Sequence, residues 1–187
     1  LLNSILKSKD LLNLNKKVNM SNHKFFKNIF TSFLVCLLLS ACSTTLRVEK
    51  ELDVETKKQL QIFEVLVTAE RDVFVLESYG DTVLSTLKSA VLSKLSSVNV
   101  HGIPAVMEIV VTRTRIISRG DRLLIGAFAG SSLMDITATI KAKETKTILG
   151  IYEVKGKYNP GGWGVFSDPV EATTNSVADE LVKGIYQ

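Results

Sequence analysis

A chain of 187 residues with 45% hydrophobic residues and three prolines has the size and composition of one folded domain with one core, which excludes a disordered polymer. Its formal charge of +4 raises the question of nucleic acid, but residues 1–41 hold six lysines against a single acid, Asp10, while the remainder carries 17 basic and 18 acidic side chains. Without a basic excess in that remainder the phosphate-neutralising contribution is missing, and no nucleic-acid partner is expected.

In chain order, residues 1–19 are rich in Leu, Asn and Lys and read as a non-native upstream extension ahead of Met20. The alternative is a long amino-terminal region with a weak amphipathic helix from Leu2 to Leu14. From Met20 the order is Lys24 and Lys27, the apolar run Ile29 to Leu39, then Ser40 and Ala41 before Cys42. Positive, apolar and small residues in that order describe a signal peptide over residues 20–41. Its apolar run is too short to cross a hydrocarbon layer of about 30 Å as a helix.

Leu39-Ser40-Ala41-Cys42 resembles the lipobox of bacterial lipoprotein precursors. The resemblance implies cleavage between Ala41 and Cys42, a thioether-linked diacylglycerol on Cys42 and, in many diderm bacteria, a third acyl chain on the freed amine. At about 0.8 kcal/mol per buried methylene, two or three chains anchor stably where one is marginal. Ser43 stands where an aspartate often retains such proteins at the inner membrane, so the expected location is the outer membrane, facing the periplasm. Cys36 leaves with the leader, so Cys42 is the only cysteine of the mature chain and no intramolecular disulfide forms.

Residues 42–58 are polar and charged and read as the lipidated amino terminus and a tether, although the alternation of Leu46, Val48, Leu52 and Val54 keeps a short first strand open. Residues 59–187 read as a single α+β domain. Ile62 to Ala69 predicts a buried strand and Val73 to Leu76 a second extended piece. Val83, Leu84, Leu87, Val91, Leu95 and Val98 recur at helical spacing over Thr82 to Val98, with Asp81 or Ser78 as the N-cap. Val106 to Ile117, Leu133 to Lys143 and Ile148 to Lys157 predict a three-strand meander. Asp168-Pro169-Val170-Glu171 opens a last helix with a cap acceptor, a proline at the first position and a capping-box glutamate. Strand, helix, three strands, helix predicts a mostly antiparallel sheet with two helices packed on one face.

Arg119-Gly120-Asp121-Arg122, the apolar glycine segment Ile125 to Ser131 and the alternating Met134-Asp135-Ile136-Thr137 resemble the bacterial lipoproteins grouped as domain of unknown function 4410. The likeness covers Val106 to Ile185 and implies no activity and no catalytic residue. The same order of elements is similar to small outer-membrane lipoproteins that assist lipopolysaccharide transport or curli secretion, a likeness of architecture only.

The chemistry-bearing residues are few. His101 is the one histidine of the mature chain, too little imidazole and thiolate for a metal site, so no metal or cofactor is expected. No Gly-x-Ser-x-Gly elbow is present, and no catalytic residue is assigned. Arg119-Gly120-Asp121 matches a tripeptide read by integrins but reads as a tight turn. Arg113 and Arg115 project to one face of a strand, where they meet acids on a neighbouring strand or, as the alternative, phosphate or acidic lipid headgroups. Gly126, Phe128 and Gly130, and Trp163 in the loop from Tyr158 to Phe166, pair aromatic with small residues and are the other candidate partner-binding positions; the alternatives are a glycine-kinked buried strand or hairpin turn for the first three and a Trp163 that folds back to cap the core. The expected function is a non-enzymatic binding or accessory module for a protein partner in the envelope. The alternative is an envelope enzyme acting on a phosphate-bearing or glycan substrate through carboxylates and the Arg113/Arg115 pair.

Overall fold

Alternation of apolar residues at a period of two builds the sheet, and the computed structural model shows it over residues 44–73, 80–98, 102–125, 130–159 and 167–187. The strands are β1 (Thr45–Lys50), β2 (Leu60–Ala69), β3 (Ile103–Arg115), β4 (Ser132–Ala142) and β5 (Ile148–Tyr158). They lie in the order β1-β5-β4-β3-β2. β3, β4 and β5 form the expected antiparallel meander, and β1 closes on β5 antiparallel. β2 is parallel to β3 and is joined to it through a helix, the connection a parallel pair requires.

The helices are α1 (Val54–Gln59), α2 (Gly80–Leu95), α3 (Arg119–Ile125) and α4 (Pro169–Tyr186). α2 buries Val83, Leu87, Ala90 and Val91, and α4 buries Thr173, Thr174, Val177, Ala178, Leu181, Val182 and Ile185. Both stripes have the spacing of one helical face. They cover the face of the sheet that carries Val65, Met107, Ile109, Val111, Met134, Ile136, Ala138, Ile140, Tyr152 and Val154, and together these residues make the core. This is the α+β sandwich that the order of elements predicts.

Polar groups inside the covered layer are satisfied locally. Thr173 donates its hydroxyl to the Pro169 carbonyl at 2.7 Å, and Thr174 to that of Val170 at 2.9 Å. Ile117 donates its N–H to the buried Ser132 hydroxyl oxygen at 3.1 Å. Each pairing removes the cost of leaving a polar group dry and unbonded. Gly156 lets α4 approach β5, since a Cβ there would stand 2.4 Å from Val177 Cγ2. Gly184 does the same for β1, because a Cβ at that position would meet Leu46 Cδ2 at 2.1 Å.

The structure departs from the sequence reading in several places. Residues 45–50 form the short first strand that the alternation left open, at the edge of the sheet, and 54–59 form α1, in place of a tether: Leu46 packs against the core and Leu52 is 3% exposed. Apolar alternation outweighed the charges because Arg47 and Glu49 only need one solvated face. Val73 sits in a turn, its N–H donating to the Glu70 carbonyl at 3.2 Å, and residues 74–76 lie outside the described residues. Asp81 falls inside α2 instead of capping it. Arg119-Gly120-Asp121 opens helix α3 and is not a tight turn. The Ser118 hydroxyl accepts from the Asp121 N–H at 3.1 Å and donates to the Asp121 carboxylate at 2.8 Å, which starts a helix by satisfying its first donors. Asp168 caps α4 as predicted, accepting from the N–H groups of Val170 and Glu171 with Pro169 next in line.

Candidate functional site

Helix α2 carries Thr82, Thr86, Ser89 and Ser93 at spacings of four, three and four, which places them along one flank. That flank faces the first turns of α4, and between the two lies an open groove of about 750 Å³. Ile116, Ala90, Pro169 and Val170 supply its apolar lining, while Glu171 and Asn175 face it from α4. Arg119 stands at one end of the groove, its Nε donating to the Ser167 carbonyl at 3.1 Å and its Nη2 lying 3.6 Å from the Asp168 carboxylate. The Ser89 hydroxyl donates to the Ser85 carbonyl of its own helix at 2.9 Å. The chemistry assembled here is that of hydrogen-bonding groups: hydroxyls, a carboxamide, carboxylates and a guanidinium already paired to a helix cap.

Among the described residues, the shifted ionisations lie away from this groove. The Thr56 hydroxyl and backbone N–H hold the Asp53 carboxyl below its ordinary value, where Asp53 caps α1. Burial pushes the Tyr186 phenol up to about 12, and its hydroxyl donates to the Leu60 carbonyl at 3.2 Å. Burial also raises the Tyr152 phenol, which accepts from the Leu52 N–H at 3.5 Å. All three groups hold elements together. Among the described residues no three His, Cys, Asp or Glu side chains come together as a metal site. No helix of those residues is long and apolar enough to cross a membrane.

The residues singled out in the sequence fare unequally. Arg113 and Arg115 do share the face of the sheet turned away from α2 and α4, opposite Asp135 and Leu133 in the register with β4. Arg113 pairs with Asp135 at 3.1 Å, and with Thr112 and Thr114 it borders a shallow cavity of about 380 Å³ that Glu70 to Val73 complete. Gly130 has a φ of +84°, which favours glycine. Ala41, Cys42, Gly126, Phe128, Trp163 and His101 lie outside the described residues. The groove was missed in the sequence. Its hydroxyl stripe is legible in the spacing from Thr82 to Ser93, but its opposing wall comes from residues some eighty positions later, and only the packing of α2 beside α4 brings them together.

No family model matches the sequence, and no curated protein matches it. Among solved structures the chain is similar to the PelC dodecamer from Paraburkholderia phytofirmans in space group P6, with 13% identity over 78% of this chain and 99% of that one and a TM-score of 0.43. A point variant of the same dodecamer in space group C2 gives 13% identity over 74% and 95% of the two chains, with a TM-score of 0.42. A likeness at that level carries nothing over to this chain.

Proposed function

We propose that this chain is a lipid-anchored envelope protein, held through Cys42 in the outer membrane and facing the periplasm, whose domain is a non-enzymatic binding or accessory module for another envelope component. The observation that carries the anchor is the run Ile29 to Leu39 ending in Leu39-Ser40-Ala41-Cys42, which resembles a lipobox. The fold makes the leash short. β1 begins at Thr45, and the Thr44 hydroxyl lies 2.6 Å from that of Ser176 on α4. Two residues of extended chain reach about 7 Å, so a lipidated Cys42 holds the domain close against the bilayer surface. The groove between α2 and α4 and the opposite sheet face with Arg113 and Arg115 are the surfaces offered to a partner.

Replacing Cys42 with Ala is the test of the anchor. Metabolic labelling with a radioactive fatty acid is expected to fall to background in Cys42→Ala, with the precursor accumulating uncut. Normal labelling of that variant would overturn the proposal.

A further inference from the structure

The two edges of the sheet are built differently. β1 is six residues long, and Arg47, Glu49 and Lys50 are among them. Charges of this kind on a short edge discourage pairing with another chain. β2 has ten residues, Leu60 to Ala69, with Glu64 as its only charge and no proline. It stands last in the strand order, and among the described residues no strand pairs with its outer side.

The backbone groups on that side can be identified. Glu70 donates its N–H to the Val111 carbonyl of β3 at 3.0 Å. The register from Glu64 to Ala69 is regular, the irregularity lying before it between Ile62 and Glu64. Since direction alternates along a strand, the N–H and C=O groups of Val65, Val67 and Ala69 point to the open edge.

Apolar side chains flank this edge on both layers. Phe63 is 56% exposed and Leu66 is 41% exposed on the strand itself. α2 packs over β2 while α4 packs over β4, β5 and β1, so the flank of α2 turned away from α4 overhangs the edge. Leu84 and Leu95, only partly buried, lie on that flank, and Leu92, 41% exposed, borders them. Lys88 interrupts this flank between Leu84 and Leu92, and Lys143 Nζ lies 5.1 Å from the Phe63 ring centroid.

We propose that β2 is a self-association surface: a second copy of this chain adds its own β2 antiparallel to this one, about a two-fold axis through Leu66. In that register Val65 faces Val67 of the second copy as a hydrogen-bonded pair, using the outward N–H and C=O groups. Leu66 meets its own counterpart as a non-hydrogen-bonded pair, where side chains come closest. Glu64 falls opposite Thr68, so no like charges oppose one another. The strand is thus its own complement, and a two-fold contact of this kind closes after two copies.

Sedimentation of the full chain in density-matched detergent tests this. The unsubstituted chain is expected to run as a dimer, and Leu66→Lys as a monomer at the same loading that still melts cooperatively, at the temperature the unsubstituted chain reaches when diluted until monomeric, because the half-exposed Leu66 supports little of the core. Ile148→Lys, an exposed apolar position on β5, should remain dimeric. Under mild oxidation Leu66→Cys should cross-link to a dimer beyond the background of the chain's own cysteines. A monomeric unsubstituted chain, a dimer indifferent to Leu66→Lys, or an assembly larger than two would each overturn the proposal.

Discussion

The two faces of the sheet are made by the same strands and hold the protein together in different ways. On the covered face, Met134, Ile136, Ala138 and Ile140 of β4 are at most 1% exposed against α2 and α4. On the other face, the alternate residues of the strands carry charges that pair across them. Arg47 lies 3.8 Å from Glu153, Arg113 lies 3.1 Å from Asp135, and Lys141 pairs with Glu108. Lys143 Nζ sits 5.1 Å from the Phe63 ring centroid. Burial stabilises in proportion to area removed from water, whereas ion pairs in contact with solvent contribute little. Stability therefore resides in the covered layer.

Adjacent positions on β4 give the sharpest test. Ile136→Ala removes a wholly buried side chain and is expected to cost about 2–5 kcal/mol, while Thr137→Ala, its neighbour on the open face, should stay within about 0.5 kcal/mol. Chemical denaturation of both variants measures the gap, and equal losses would break the contrast between the faces. Asp168→Ala removes the cap that aligns α4 over the core and should cost about 0.5–2 kcal/mol. A loss confined to that range, without a change in denaturant sensitivity, would separate an end effect from loss of packing.

Tyr186 probes the covered layer by pH. Its phenol is pushed from 10.0 up to about 12 by burial, so the folded state favours the protonated form. The contribution is fully present below pH 10 and is lost as pH rises towards 12. Tyr186→Phe is expected to lower stability at neutral pH by about 0.5–1.5 kcal/mol, through loss of the bond to Leu60, and to flatten the alkaline decline to what Tyr152 leaves. Melting curves between pH 8 and pH 12 check both. A small effect is also expected at the ion pair on the open face: Arg113→Ala should change stability by no more than about 1 kcal/mol, and less in high salt. A larger loss would show that the open face also supports the fold.

Much of the architecture was legible because it depends on local periodicity. The meander, both long helices and the Asp168 cap follow from alternation, helical spacing and cap chemistry, none of which needs a distant partner. β1 was less legible because its few apolar residues sit among charges, and its place is set by pairing with β5 and by Leu46 reaching the space left by Gly184. The helical start at Arg119 was hidden for a related reason: a glycine and an aspartate suit a turn as well as a first helical turn, and the Ser118–Asp121 exchange decided between them.

The sequence by itself determined β2, the three-strand meander, the two long helices with the apolar face of each and the expectation of a lipid anchor at Cys42, since these rest on neighbours in the chain. Tertiary structure alone decided that β2 lies parallel to β3 at the edge and that α2 and α4 enclose a groove. It also decided that Arg113 is neutralised by Asp135. These depend on which surfaces meet across long stretches of chain, and the pairing of surfaces is set by the shape and volume of the whole core rather than by any local pattern.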